Sequence, residues 1–460
     1  MTKIKKFFGD RDFYKKVLAI SVPIMVQNGI TQMVNLLDNI MVGSLGTEAI
    51  SGVSIVNEFI SIFNIVIFGA GAASGIFTAQ YHGAGDTKGV RYTFRMKFLV
   101  NMIISAIAIV LLSLFNEPAI SLFLQAGDAA SSIAQTMAYS KEYLVIILVG
   151  LVPYGLSQAY ASTLRETREV MLPTVSSVIA MVTNFVLNFI LIFGHLGLPA
   201  MGVAGAALAT TISRFVEVIF LLICTHAKSD KYAFIKGAYA SLKIPINIVR
   251  QIIIKGFPLM INEVFWSTAI TFRNQCISMT GLESVAALNI QATVYRTMTI
   301  AYTAQANAIS IIVGNMLGAG EIEEAKDSNR KLVTLSFLVG VFMTGVACVA
   351  APILPKFYNI SDSVRSLATY MVIVSGLSMP FGAITLSCYF TLRSGGLTML
   401  TMLFDCGYAW VATLPVAYIL AYHTNVGIHI LFAAVIFTDA LKSLLGLFLI
   451  NKVKWARKLT

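Results

Sequence analysis

Charge is what this chain has least of. Only 12% of its 460 residues are Asp, Glu, Lys or Arg, while 57% are hydrophobic, and a soluble domain carries a charged share of about 25%. That excludes a soluble fold, because no such fold hides so much apolar surface. Cysteine is also scarce. Cys224, Cys276, Cys348, Cys388 and Cys406 lie scattered in apolar segments, with no CxxC and no paired spacing. A disulfide framework and a cysteine metal site are therefore excluded, and these residues read as small core side chains. The five histidines are equally dispersed. No GxxxxGK[ST] loop is present to cradle ATP phosphates, so an energised process must draw on an ion gradient. No nucleophile motif or filter-like repeat points to an enzyme or a channel. The expectation is a protein that is not an enzyme and needs no cofactor beyond a coupling ion.

What the chain has in abundance is apolar runs of roughly 20 residues, the length that crosses about 30 Å of hydrocarbon. They lie near 17–42, 51–80, 98–115, 137–158, 172–194, 203–225, 256–279, 286–314, 332–352, 366–391, 400–421 and 428–450. The basic start (Lys3, Lys5, Lys6, Arg11, Lys15, Lys16) precedes a run too long for a signal peptide, which stays as the first span. The net charge of +11 crowds the ends of the runs, as topology signals do, so nucleic acid is not an expected partner. With the N-terminus inside, the inner segments collect Lys88, Arg91, Arg95, Lys97, Arg165, Arg168, Lys326, Arg330 and the cations of 226–255, while the outer ones hold little beyond Lys141, Lys356 and Arg365. Both termini are expected in the cytoplasm of a multi-pass plasma-membrane protein.

The chain also repeats itself. One constant step along the sequence carries Pro23 to Pro258, Gly46 to Gly281, Glu48 to Glu283 and Gly85 to Gly320. S-L-G-T-E-A-I at 44–50 answers T-G-L-E-S-V-A at 280–286, and Y-H-G-A-G-D at 81–86 answers M-L-G-A-G-E at 316–321. Six spans return the chain to its starting side, so the halves are expected to be parallel repeats. The expected fold is an all-α integral membrane protein of about twelve transmembrane helices in two pseudo-symmetric six-helix lobes. The N-lobe is 1–225, a cytoplasmic linker is 226–255, the C-lobe is 256–460, and the seam between lobes is the natural place for a substrate.

Polar residues at helical spacing mark where chemistry can occur. In the first span Gln27 or Asn28, Thr31, Asn35 and Asp38 share one face. Such a stripe in lipid must look into the protein or a watery cavity. Asp38 can take up a proton there, or serve as a Na⁺ ligand; a solvated acid at the helix end is the bland alternative. Pro23 removes a backbone hydrogen bond and is a candidate hinge. The fifth span adds Ser177, Asn184 and Asn188, either as partners of Asp38 or as helix–helix glue. In the seventh, Glu263 stands where Asn28 stands in the first half and is a candidate cation ligand. Candidate substrate contacts are Asn35, Asn57, Gln291, Tyr295 and Asp405. Nineteen methionines and 11% aromatics suit an adaptable apolar pocket.

These residues resemble the multidrug and toxic compound extrusion (MATE) family. The resemblance rests on D-N-I-M-V-G-S-L-G at 38–46, Q-Y-H-G-A-G-D at 80–86, L-R-E-T at 164–167, the stretch from Asn184 to Thr210, G-N-M-L-G-A-G-E at 314–321, L-R-S-G-G at 392–396 and D-C-G-Y-A-W at 405–410. It covers nearly the whole chain. It implies a secondary antiporter that exchanges H⁺ or Na⁺ for amphipathic, often cationic, drugs by alternating access, in contact with membrane lipid and acting as a monomer. By the same resemblance Asp38 is the first-helix coupling acid, Asn184 its companion amide, and Glu263 a seventh-helix acid. Asn188 departs from the pattern, since some members place a second acid there. The coupling ion stays open, with Na⁺ at Asp38 or Glu263 as one alternative. A lipid-linked oligosaccharide flippase of the same superfamily is the alternative function, and it calls for a more cationic cleft.

Overall fold

The computed structural model describes residues 4–124, 130–358 and 360–460; Lys3 of the basic start lies outside them. Within these residues twelve long helices carry the fold: α1 Arg11–Gly43, α2 Thr47–Gly83, α3 Thr87–Leu114, α4 Ala130–Glu166, α5 Met171–Phe193, α6 Gly202–Ala227, α7 Ile246–Ser278, α8 Leu282–Ala319, α9 Ile322–Ala350, α10 Asp362–Ser394, α11 Thr398–Tyr422 and α12 Ile428–Lys452. No strand occurs among the described residues. Ten of the twelve are long and apolar enough to cross a bilayer. The other two, α7 and α8, have the length, at 33 and 38 residues. Residues such as Asn262, Glu263, Arg273, Gln291, Arg296 and Gln305 dilute their apolar character.

The helices start and stop where their sequence provides for it. Asp10 Oδ1 accepts from the Phe13 N–H at 2.8 Å ahead of α1, and Asp86 Oδ1 accepts from Gly89 N–H at 2.9 Å ahead of α3. Both satisfy amides that a first turn leaves without partners. The second helix of each half is bracketed by glycines in left-handed backbone. Gly46 (φ 126°) and Gly281 (φ 131°) precede α2 and α8, and Gly85 (φ 73°) and Gly320 (φ 83°) follow them. An L side chain strains such a conformation. The most visible sequence anchors of the repeat are thus its turn residues.

α7 begins well before the apolar run suggests, at Ile246. Its first turns carry Arg250 and Lys255 among isoleucines, long side chains that reach from an apolar helix end to water. α11 is not uniform: π-helical turns at Leu403–Gly407 and Ala409–Thr413 interrupt it.

Two compact units are distinguishable. One comprises Met1–Met25, Ala79–Gly85 and Ile253–Thr460, the other Val26–Thr78 and Asp86–Ile252. In the latter, α6 packs on α4 and α5, and α3 on α4. Val42, Val56, Phe63, Leu144 and Ile192 lie at its centre. In the former, α10 packs on α8, α9 and α12, around Ile277, Leu288, Met371 and Phe432. Large apolar side chains such as Ile40, Leu114, Phe342 and Phe437 stay on the outside, as a lipid-facing surface requires. Of the cysteines, Cys276, Cys388 and Cys406 are buried and Cys224 is half-buried. Cys348 is exposed, so the core assignment fails for it.

One backbone contact inside the first unit is unusually close. A Cβ on Gly83 would fall on the backbone of Asn315, and one on Gly318 on the backbone of Gln80. The step of the repeat carries Gly83 to Gly318 and Gln80 to Asn315, so the contact is reciprocal between equivalent positions. Gly318→Ala is expected to cost about 1–3 kcal/mol by overpacking. Gly71→Ala, where an added Cβ meets no described atom within 4 Å beyond its own stretch of helix, serves as the control. The measurement is the thermal midpoint of the purified protein, lowered by the first change and not by the second.

Candidate functional site

The stripes on α1 and α5 meet. Asn188 Nδ2 donates to Asp38 Oδ1 and also to Asn184 Oδ1 at 3.2 Å. Asn184 Nδ2 donates in turn to Thr210 Oγ1 of α6 at 3.2 Å. One helical turn separates the two amides, so both face the same side. Both are buried, and Asp38 is half-buried. Asn188 Oδ1 is buried without a hydrogen-bond partner among the described residues. A carbonyl oxygen in that state costs free energy unless some state of the protein supplies a donor or a cation.

Towards the other end of the same helix pair, Gln27 Nε2 donates to Ser177 Oγ at 2.9 Å. Gln27 and Asp38 are as far apart on α1 as Ser177 and Asn188 are on α5, about 16 Å at 1.5 Å per residue. Ser177 donates to Glu217 Oε1 of α6 at 3.2 Å, whose other oxygen pairs with Arg214 at 3.3 Å. Arg165 of α4 donates to Gln27 Oε1 at 3.3 Å, and the Arg214 guanidinium lies 4.9 Å from the centre of the Tyr154 ring. Thr210, Arg214 and Glu217 follow one face of α6 at steps of four and three, a signal that was there to be read. Arg214 and Glu217 are residues that the reading of polar stripes misses, and Arg165 enters it only as a topology signal and as part of the L-R-E-T stretch.

In the other unit, Glu263 is half-buried and accepts from the Tyr389 hydroxyl at 3.4 Å. Its neighbour Asn262 donates to Asp405 Oδ2 at 3.0 Å and accepts from the Cys406 N–H at 3.2 Å. Lys442 of α12 pairs with Asp405 Oδ1 at 2.6 Å, so the charge of Asp405 is spent inside the bundle. Gln291 Nε2 donates to Ser375 Oγ at 2.7 Å between α8 and α10, both residues buried. Tyr295 is half-buried and accepts from Tyr302 at 3.2 Å. Asn35 and Asn57 are exposed, and Pro23 lies inside α1. The predicted site residues therefore fall into a cluster (Asp38, Asn184, Asn188), an acid of the other unit (Glu263), residues bonded to other partners (Gln291, Tyr295, Asp405), and the exposed Asn35 and Asn57. Among the described residues no three His, Cys, Asp or Glu side chains group as metal ligands.

The sequence profile of the MatE family matches residues 23–190 and 258–419, two segments whose starts are offset by the same step as the repeat itself. The chain belongs to the MatE family. The probable multidrug resistance protein NorM of Thermotoga maritima is 25% identical over 446 residues, 96% of this chain and 93% of that one. The multidrug resistance protein NorM of Burkholderia vietnamiensis is 24% identical over 422 residues, 89% and 87% of the two chains. Among solved structures, the Vibrio cholerae MATE transporter VcmN in its bent form superposes with a TM-score of 0.82 at 17% identity, covering 96% of this chain and 97% of that one. A MOP superfamily transporter from Pyrococcus furiosus, described as having a binding pocket of reversed polarity, gives 0.82 at 18% identity, covering 98% and 99%. At such identities these structures share the fold with this MatE chain.

Proposed function

We propose that this MatE protein is a secondary multidrug efflux transporter that exchanges inward-moving H⁺ for small amphipathic organic cations, with Asp38 as the proton-binding group. The observation that carries the reading is how Asp38 is held. Among the described residues, ion pairs take up Glu166, Glu217 and Asp405 in the helices, whereas Asp38, like Glu263 and Asp439, is in none of them. Asp38 alone of these three bonds to an amide pair, through Asn188, with the Arg214 charge acting on it from a distance. The ionised carboxylate accepts the Asn188 N–H. Once protonated, Asp38 becomes a donor, and the oxygen it would seek is the Asn188 Oδ1 left without a partner among the described residues. Rotating that amide breaks its bond to Asn184 and passes the change to Thr210. Proton uptake is thereby written into a hydrogen-bond rearrangement across α1, α5 and α6, with Pro23 as the bending point of α1. An amide at 188 leaves the cluster one carboxylate, which favours H⁺ over Na⁺ at this place.

Glu263 is the rival coupling site. The reading also places both termini in the cytoplasm, an N-lobe over 1–225, a linker over 226–255 and a C-lobe over 256–460, in a monomer of the plasma membrane. Asn35, Asn57 and Tyr295 remain as substrate contacts, since Asn35 and Asn57 are exposed and Tyr295 is half-buried; Gln291, buried with its amide N–H on Ser375, and Asp405, paired with Lys442, serve packing. Purified protein in liposomes, loaded with a cationic dye, tests the reading under separately imposed pH and Na⁺ gradients. Dye movement follows the pH gradient without ATP. Movement of lipid-linked sugars and of no cationic dye would overturn it in favour of a flippase.

A further inference from the structure

A cavity of about 540 Å³ opens at the start of α3, lined by Lys88, Arg91, Tyr92 and Arg95 and, from the segment between α6 and α7, by Ser241 and by Lys243 with the two residues after it. Four cations surround one space. None of the ion pairs among the described residues includes any of them. Other cations nearby are paired: Lys97 with Glu166, Lys231 with Glu169, and Lys236 with Asp230. The hydrogen bond that Lys231 donates to the Glu169 carboxylate holds its ammonium above the usual range.

The repeat supplies an internal control. Displaced by the step of the repeat, Lys88, Arg91 and Arg95 fall on Glu323, Lys326 and Arg330 at the start of α9, and Gly89 and Tyr92 fall on Glu324 and Asp327. In that half the acids serve the cations: Lys326 pairs with Glu323, and Arg330 and Lys331 with Asp327. The first half keeps the cations and lacks these acids. What it has instead is backbone. Arg95 donates to the carbonyls of Gly237 (2.7 Å), Ala238 (2.8 Å) and Lys243 (3.0 Å). Arg91 donates to those of Phe234 (3.2 Å) and Ala233 (3.3 Å). Carbonyl dipoles solvate a guanidinium without cancelling its charge. Arg95 is only 8% exposed, and a buried cation without an opposite charge is costly. Positive residues at helix ends are ordinary topology signals, yet a purely topological role needs neither a cavity nor the loss of the acids that the other half retains.

We propose that Lys88, Arg91, Arg95 and Lys243 form a binding site for a phosphate-bearing anion. The size of the cavity suits a headgroup, and its position at a helix end suits a phospholipid of the adjoining leaflet; free phosphate carries the same chemistry. Lys88 and Lys243 are exposed, and neither ammonium is bonded to any of the described residues, so changing them spares the fold. The test uses full-length protein in a neutral detergent, with native mass spectrometry for phosphatidylglycerol against phosphatidylcholine and thermal midpoints with inorganic phosphate. Retention of phosphatidylglycerol should exceed that of phosphatidylcholine, and should fall about tenfold or more in the double variant Lys88→Gln/Lys243→Gln. Lys326→Gln, which removes the same kind of charge from a paired position, should leave it unchanged. A phosphate-induced rise in midpoint that the double variant loses, without lipid preference, would assign the same site to free phosphate. Lipid retention and phosphate response that are both unchanged in the double variant, or both absent from the wild type, would overturn the proposal. Neither result bears on the transport reading, which is judged by dye movement alone.

Discussion

Export driven by a pH gradient falls to background in Asp38→Asn, while the variant purifies folded and still binds drug. Asn has the shape of Asp and keeps a carbonyl oxygen to accept from Asn188. The fold should therefore change by no more than about 1 kcal/mol, the net worth of one hydrogen bond. What the substitution removes is the ability to alternate between a charged acceptor and a neutral donor. Without that alternation the Asn188 amide has no reason to rotate, and the gradient has nothing to act on. Glu263→Gln keeps pH-driven export under this account, because the bond shown for Glu263 is to Tyr389 and the Asp38–Asn188–Asn184 chain does not run through it. The measurement is dye movement by both variants under H⁺ and Na⁺ gradients. Normal pH-driven export by Asp38→Asn, with its loss in Glu263→Gln, would move the coupling group to the second half.

Sequence periodicity made the pairing of α1 with α5 legible, since Gln27 and Asp38 share a face of α1, Ser177 and Asn188 share one of α5, and both polar stripes needed a partner in lipid. The helices themselves were legible from apolar length, α7 and α8 included, although polar residues weaken the hydropathy of those two. Periodicity did not reveal which partner consumes a given side chain. Gln291 looks like a pocket residue by spacing, yet Ser375 of a different helix takes its amide. Arg214 and Glu217 neutralise each other on one turn of α6, and that balance left the face inconspicuous. Such pairings depend on how helices distant in sequence are set against each other, which a single-helix pattern does not encode.

Asp405 is the sharpest case, and it leads to the second large effect. Lys442→Met should destabilise the protein by about 3–5 kcal/mol, the cost of breaking a buried ion pair by removing one partner. Lys442 is 7% exposed. Its ammonium meets Asp405 Oδ1 at 2.6 Å and the Asp405 carbonyl at 3.3 Å. Asn262 holds the other carboxylate oxygen at 3.0 Å and takes the Cys406 N–H at 3.2 Å. These bonds fall on the π-helical turn Leu403–Gly407, where the wider winding disturbs the ordinary backbone pairing. Lys442 and Asn262 thus satisfy both the acid and the irregular backbone that presents it. Met preserves the length and apolar stem of Lys442, so the loss reports charge and hydrogen bonding, not packing. Adding Asp405→Asn to Lys442→Met removes the stranded charge while keeping an acceptor for Asn262, and should recover most of the thermal midpoint. Replacing a buried pair as a unit is often close to neutral, whereas removing one partner is not. A single variant that melts with the wild type would mean the pair is solvated and contributes little. A double variant no more stable than the single would mean that Lys442 acts through the α11 backbone and not through the Asp405 carboxylate.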